Sequence, residues 1–376
     1  MARGDAAAQS IVDADADIIG LQEYEHSNDG NDTDIVRRLE LLTGTSWHYA
    51  NPKAGNPVLS RFPVVSVGEY GVQVEVDSDL RVWVFSRHFG LGSNWNQSYI
   101  PYAAYYDYSE AEILAFVESW DNWGSSMDAL RPELEAALAS GEPVFFTGDF
   151  NEPSHLDWTE AAAAAGYIPL AVDAPLSHVF IDDLGMIDGY HQDRVQDGED
   201  EVSRWGYTWT SDGVGSSDDD RIDFVYYAGE GVDVLDSVLV GEANGGGVRG
   251  SEDVDLKVWW DSHYYTVSDH RAVAVRFELS DPYLPEDTGT PDTDTGTSAD
   301  TGEPTDTGTP DTDTGPDVPN SPGPDDGGSD DTSACGCGGG TGPGPFSLAL
   351  LAAAARRRRG AATAPRPLDD RALRRR

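Results

Sequence analysis

The chain has 376 residues with 68 acidic against 24 basic side chains, a net charge of −44, and from Pro282 onward it turns into a Thr/Asp/Gly/Pro tract with almost nothing apolar to bury. One large core therefore belongs to residues 1–281, which carry 52 acids and 15 bases, a charge of −37. A surface of that sign repels nucleic-acid backbones and lipid phosphates unless cations or a local patch intervene, which excludes tight duplex binding as a default, and both cysteines lie in the tail, which excludes a disulfide framework in the folded part.

In chain order, Ala6–Val12 fits the end of a helix, and ADIIGLQEYE reads as a buried strand ending in Gln22 and Glu23. DTDIVRRLELLTG places Ile35, Leu39 and Leu42 on one helical face before a glycine stop at Gly44. NPVLSRFPV and VSVGEYGVQVEV read as adjacent strands, and RVWVFSRHF as another. SEAE at Ser109–Glu112 is a capping box opening a helix through about Trp120, and MDALRPELEAALA is a second helix. PVFFTGDF is a strand, Asp157–Ala165 a helix, and RWGYTWT, RIDFVYY, VDVLDSVLV and HRAVAVRFEL complete a strand-rich second half. Strands outnumber helices, with helices between them in both halves. The pattern predicts an α+β sandwich, two packed mixed or antiparallel sheets flanked by helices in four layers.

Residues 282–334 cannot repay the entropy of ordering and read as an extended linker. Residues 335–360 hold CGCGGG, the apolar run FSLALLAAAA and the cluster Arg356–Arg359, and residues 361–376 form a basic tail. The ten residues of this run span only about 15 Å as a helix, too short for a bilayer. The order acidic Thr-rich spacer, cysteines, apolar run, arginines resembles the C-terminal sorting signal of myxobacterial surface proteins. That resemblance implies processing or anchoring at Cys335 or Cys337, a tail that is an address rather than part of the fold, and an extracellular or cell-surface location.

Five places share one design, a run of β-forming residues ending in a polar cluster: Glu23, His88, Asp149 with Asn151, Asp223, and Asp269 with His270. Carboxylates rarely sit beside a core unless paired or metal-bound. Carboxylate and amide oxygens suit a hard divalent ion, Mg2+ first, with Mn2+ or Ca2+ as alternatives, and the chemistry that uses such a set is hydrolysis of a phosphoester. A carboxylate takes the proton of the attacking water, while an imidazole stabilises phosphoryl charge or protonates the leaving group. The histidines lack the spacing of a zinc protease.

DIIGLQE at Asp17–Glu23, LSRFP at Leu59–Pro63, the strand ending in His88, GDFN at Gly148–Asn151, YTW followed by RIDF at Arg221–Phe224, and SDH at Ser268–His270 stand in the order of the endonuclease/exonuclease/phosphatase superfamily, the DNase I-like fold. The chain resembles that family over about residues 10–277. The resemblance implies metal binding by Glu23 and Asp269. It implies a catalytic set of Asp149, Asn151, His88, Asp223 and His270, in which Asp149 and Asn151 position the water and the phosphate and Asp223 assists the histidine or the metal. Asn151, His88 and His270 would contact the phosphate, and which imidazole is the acid stays open.

Two departures accompany the resemblance. The family opens with a strand ending in an asparagine, whereas this chain begins inside what matches the following helix; the expectation is a start internal to a longer reading frame, with the strand and a signal peptide upstream. The other reading is a shortened, catalytically impaired surface binding domain. Without that strand, exposed edge hydrogen bonds and apolar area predict poor folding. The second departure is SRH at Ser86–His88, where Arg87 either adds a phosphate contact or points away. Aromatic residues crowd Gly92–Trp123 and recur at Trp259, Trp260, Tyr264 and Tyr265, to stack on bases, to seat a membrane-facing loop or to pack one loop on another. The expected activity is that of a monomeric, metal-dependent phosphodiesterase or nuclease acting on a phosphoester such as extracellular DNA or RNA. Sphingomyelin-type lipids or small phosphoesters are the alternative substrates.

Overall fold

The structure, a computed structural model, describes residues 3–24, 34–53, 56–90, 100, 103, 107–120, 123–200, 202–203, 206–210, 219–240, 257–260, 263–266, 270–280 and 347–354. Contacts divide the chain into one unit of Met1–Pro282 with Gly339–Arg376 and a second of Tyr283–Gly338, the latter wholly outside the described residues.

Within the first unit α1 (Arg3–Asp13) leads to β1 (Ile18–Gln22), α2 (Asp34–Thr43), β2 (His48–Ala50) and β3 (Val58–Ser60). The chain then enters β4 (Val64–Val67), β5 (Gly71–Asp77), β6 (Leu80–His88), α3 (Glu110–Val117), α4 (Gly124–Leu138) and β7 (Val144–Asp149). After α5 (Glu160–Ala165) come α6 (Pro175–His178), a π-helical turn at Val179–Asp183, β8 (Ile187–Asp188) and α7 (Gly189–Asp197). The remaining strands are β9 (Trp209–Thr210), β10 (Asp219–Asp220), β11 (Asp223–Ala228), β12 (Val232–Val240), β13 (Lys257–Trp260), β14 (His263–Thr266), β15 (Ala272–Leu279) and β16 (Ser347–Ala354).

Two six-stranded sheets result, ordered β12-β15-β16-β1-β3-β2 and β4-β5-β6-β7-β11-β8. Alternation along the strands builds the layers, because successive side chains leave opposite faces. Ile18, Val58, Phe145, Val225, Val273, Val275 and Phe277 point between the sheets. Their neighbours Ile19, Leu59, Ala272 and Ala274 face α1 and α2, packing with Ile11, Ile35 and Leu39. Phe146, Phe224 and Tyr226 face the other way, against Met127, Leu130 and Leu134 of α4 and Phe180. Helix, sheet, sheet, helix is the predicted α+β sandwich.

The capping box forms as predicted, with Ser109 and Glu112 satisfying each other's backbone N–H groups. That helix ends at Val117 rather than Trp120, and α5 starts at Glu160 rather than Asp157 because Thr159 takes the N-cap, accepting from Ala162 N. NPVLSRFPV is not one strand. Val58–Ser60 pairs with β1, Val64–Val67 pairs with β5, and the chain crosses between sheets where Ser60 Oγ accepts from Phe62 N and Pro63 has no N–H to offer a ladder. Among the described residues of RWGYTWT only Trp209–Thr210 is strand. Sequence reading passed over α6, the π turn and β8, each too short to show a period, and α7, whose only large apolar residues are Tyr190 and Val195; α7 exists because Asp188 caps the N–H groups of Tyr190 and His191.

The largest correction concerns the tail. Its apolar run, read as lying outside the fold, is β16, antiparallel to β1 from Ile18↔Leu351 to Gln22↔Ser347 and parallel to β15 from Ala274↔Leu350 to Glu278↔Ala354. β1 is buried along its whole length and β15 nearly so. An open slot between them would strand two rows of buried N–H and C=O groups, and a short apolar segment without charges fills it. The exposed edges expected of this sheet are thereby paired.

Candidate active site

β6 and β7 run parallel with His88 opposite Asp149, and β11 runs antiparallel to β7 with Asp223 opposite the same Asp149. Three neighbouring strands thus deliver an imidazole and two carboxylates at one level of one sheet edge. Gly148 permits the approach, since a Cβ there would run into the Arg87 carbonyl oxygen. Beyond Asp149 the chain alternates: Phe150 turns into the core, edge-on to Phe89, Phe180 and Phe224 at ring separations of 4.9–5.0 Å, while Asp149 and Asn151 turn toward the site. The apolar residue between the two polar ones is the anchor that holds both.

The opposite sheet contributes Glu23, just past β1. Gly20 lets the sheets close, because a Cβ there would strike Thr147 Oγ1. Gln22 Nε2 donates to Ser86 Oγ at 2.9 Å and Ser86 Oγ to the Leu21 carbonyl at 3.1 Å, bridging the sheets directly behind the site. Glu23 Oε1 lies 3.4 Å from His88 Nε2, and Asp149 Oδ2 lies 3.6 Å from the same nitrogen. Glu23 and Asn151 hold left-handed backbone, φ 50° and 51°, a conformation costing side-chain-bearing residues about 1–3 kcal/mol and concentrated at working sites.

Asn151 sets the state of His88. Its Nδ2 donates to the Phe89 carbonyl at 2.8 Å, which identifies that atom as the amide nitrogen, and the same Nδ2 stands 2.8 Å from His88 Nε2. The ring nitrogen must then accept, so His88 is neutral with its proton on Nδ1. Burial favours the same state by pushing the His88 pKa down, against the upward pull of Glu23. His270 is held differently. Its Nδ1 donates to Asp223 Oδ2 at 2.7 Å, leaving Nε2 3.8 Å from Asp149 Oδ2.

Residues that sequence reading gave no role support this pair. Thr208, inside YTW, accepts at Oγ1 from the N–H groups of Ile222 and Asp223 at 3.0 and 3.1 Å, and its carbonyl accepts from Arg271 N at 2.7 Å, so one residue fixes both Asp223 and His270. Arg221, inside RIDF, is buried and donates to Asp157 at 2.8 Å and Asp188 at 2.6 Å, while Arg194 donates to Asp157 at 2.6 Å. Burial works against the Arg221 charge, yet Asp157 and Asp188 outweigh it and raise its pKa. Replacing Arg221 by Met leaves buried Asp188 without its cation and Asp157 with Arg194 alone, and is expected to cost about 3–5 kcal/mol in urea unfolding, with Arg221→Met/Asp188→Asn recovering part of it. A loss below about 1 kcal/mol would show that the network is not a stabilising unit.

Two predicted site residues fall elsewhere. Arg87 sits on the opposite face of β6 from His88, donating to Ser126 Oγ on α4 at 3.2 Å, so its reading as a phosphate contact is corrected by strand alternation. Asp269 lies outside the described residues, as do Cys335 and Cys337. Of the aromatic stretch, Trp120 packs into a buried cluster with Ile113 and Val117, and Trp123 Nε1 donates to Glu152 at 3.2 Å; most of the others lie outside the described residues.

The donors fit a hard divalent cation. One ligand atom each from Asp149, Asp223 and His270 lies within 4.8 Å of the others, Glu23 Oε1 faces the same cleft, and Asp223 Oδ1 is buried with no hydrogen-bond partner among the described residues.

The chain spans about half (49%) of a curated relative, an uncharacterized protein of Caenorhabditis elegans, to which it is 27% identical over 168 residues, 41% of this chain. Among solved structures it is similar to an endonuclease/exonuclease/phosphatase family protein from Leptotrichia buccalis, at 14% identity over 72% of this chain and 90% of that one with TM-score 0.36. It is also similar to TDP2 from C. elegans, at 16% identity over 72% and 67% with TM-score 0.36. An AP endonuclease from Archaeoglobus fulgidus matches at 14% identity over 62% and 84% with TM-score 0.35. The description of the endonuclease/exonuclease/phosphatase family matches residues 1–270, and the chain belongs to that family.

Proposed function

We propose that this protein is a divalent-metal-dependent phosphodiesterase of nuclease type. The observation that carries the reading is the meeting of Glu23, His88, Asp223 and His270 around one buried carboxylate, Asp149, supplied by both sheets. Family membership supports phosphoester hydrolysis, and the hard-oxygen donor set supports Mg2+ or Mn2+. Glu23, Asp149 and Asp223 would hold the cation, whose contribution would be to polarise the phosphoryl group and steady the leaving oxygen.

The chain's own groups divide the remaining work. Asp149 accepts the proton of the attacking water. Asn151, fixed by the Phe89 carbonyl and by its own N–H to Asp149 Oδ1 at 2.9 Å, orients the phosphate. His88 serves as a neutral positioning group. His270 carries the mobile proton: Asp223 stabilises the imidazolium through Nδ1, while Nε2 is directed at the cleft. Among the described residues no helix is long and apolar enough to cross a membrane.

The test is hydrolysis of bis-p-nitrophenyl phosphate, plasmid DNA and sphingomyelin by the full chain, with Mg2+ and with chelator. Diester and DNA cleavage lost on chelation and restored by Mg2+ is the expected result; cleavage that persists without metal would overturn it.

A further inference from the structure

One buried ionisable group stands next to the site without a part in the chemistry above. Glu152 follows Asn151 directly, is 1% exposed, and has no Lys or Arg beside it among the described residues. Its Oε1 accepts from Leu176 N at 2.6 Å and its Oε2 from Trp123 Nε1 at 3.2 Å. We propose that Glu152 is a positioning residue for phosphodiester hydrolysis, a role that rests on the phosphate-orienting work given to Asn151 above. It holds Asn151 in the left-handed turn from which the side-chain amide meets both the Phe89 carbonyl and His88.

A left-handed asparagine persists only where its surroundings over-determine the backbone. On the N-terminal side of Asn151 this is done twice. Asp149 Oδ1 accepts from Asn151 N at 2.9 Å, and Phe150, whose N–H donates to the Ile222 carbonyl at 2.8 Å, is locked among aromatic rings. On the C-terminal side Pro153 steers Glu152 toward extended backbone but has no N–H to donate. The Ser154 carbonyl beyond it accepts from Asp157 N and Trp158 N, within the next turn of the same loop. The Glu152 side chain, adjoining Asn151, ties this side of the turn to distant chain.

The partners explain why a carboxyl group stands here. Both are N–H donors: Leu176 lies in the first turn of α6, whose N-cap Ala174 carries no capping group, and Trp123 is the N-cap residue of α4. A carboxyl group offers an acceptor at each oxygen, whereas Gln would set its own NH2 against one of the donors. Burial pushes the Glu152 carboxyl up to about 8, against the two N–H donors and His178. Apolar packing would join α4 to α6 equally well, but two directed bonds also fix the angle at which Asn151 enters the site. Asn151 Nδ2 stands 2.8 Å from both the Phe89 carbonyl and His88 Nε2, so a rotation of the turn breaks both contacts and frees the His88 proton to change nitrogen. The state of His88 therefore reads the Glu152 anchor directly.

The experiment is proton–nitrogen NMR of the imidazoles in the histidine-labelled full chain, with His88 assigned by His88→Gln, beside kcat and KM for bis-p-nitrophenyl phosphate with Mg2+. It compares the unaltered protein with Glu152→Ala, Glu152→Gln, Trp123→Phe and the double variant Glu152→Gln/Trp123→Phe. Val74→Ala serves as the control for lost stability, because Val74 is buried between the sheets and pairs with Val82, in the half of β6 away from His88. Glu152→Ala is expected to lower kcat about 10–100-fold with KM changed less than about threefold, and to turn the single His88 Nδ1–H form into a mixture of tautomers. Glu152→Gln and Trp123→Phe, which each lose the Trp123 bond and keep the one to Leu176, should show the same change to a smaller degree, and their combination should add nothing further. Val74→Ala should melt earlier with kcat and the His88 signal unchanged. An unchanged His88 signal in folded Glu152→Ala, or in both milder variants should the alanine variant fail to fold, would overturn the role and leave Glu152 as a helix cap. Equal losses in Val74→Ala would overturn it too. An unaltered chain without activity would sink the phosphodiesterase reading, while the His88 signal would still decide whether Glu152 holds Asn151.

Discussion

Replacing Asp149 by Asn lowers the turnover of bis-p-nitrophenyl phosphate by about 10³-fold or more at saturating Mg2+, while the melting temperature holds or rises. The asparagine keeps an oxygen to accept from Asn151 N, so the turn that presents both residues survives. What disappears is the charge at the point where Glu23, His88, Asp223 and His270 converge. The substitution also relieves repulsion among carboxylates assembled for function rather than stability, which is why no loss of melting temperature is expected. A turnover within tenfold of the unaltered chain would mean that another group takes the proton of the water, and the proposed division of labour would fail.

A chain ending at Phe346, which lacks β16, is expected to lose most of its cooperative fold. Five registered residue pairs join β16 to β1 and five join it to β15. At about 0.5–1.5 kcal/mol for each net hydrogen bond, with a larger penalty for buried groups left unpaired, the loss approaches the whole net stability of an ordinary domain. The shortened chain should bind hydrophobic dyes and lose its near-ultraviolet circular dichroism, and a peptide covering 347–354 added in trans should restore part of the signal. A melting temperature within about 2 °C of the full chain would show that the sheet stands without this strand. Because Glu23 directly follows β1 and β15 follows His270, the same truncation should abolish activity, linking the tail to the site through the sheet.

Most of the fold was legible because its signals are local. Apolar runs of strand length, a capping box at Ser109 and turn residues after each strand need no knowledge of distant chain, and they marked most of the strands and longer helices. Failures came where the signal was short or shared. Pro175–His178 and Gly189–Asp197 are held by single capping carboxylates and by packing, not by a period. NPVLSRFPV carries strand propensity throughout, and only pairing partners decide that its halves join different sheets.

The candidate site divides in the same way. Glu23, His88, Asp149, Asn151, Asp223 and His270 could each be named from a polar residue at a strand end, and the structure brings all six together. Thr208 and Arg221 lay in the quoted motifs without a role, since a buried clamp looks like any other polar residue until its partners are known.

By itself the sequence determined the layer architecture, the family and the set of chemically equipped strand ends, because strand alternation, turn chemistry and residue type act over a few neighbours. Tertiary structure alone decided that Asp149 stands between His88 and Asp223, that His88 is neutral while His270 is paired to a carboxylate, that Arg87 faces a helix, and that the apolar run of the tail becomes a strand. Those outcomes depend on which strands pair and in which register, and a buried backbone must find its partners wherever the chain can supply them.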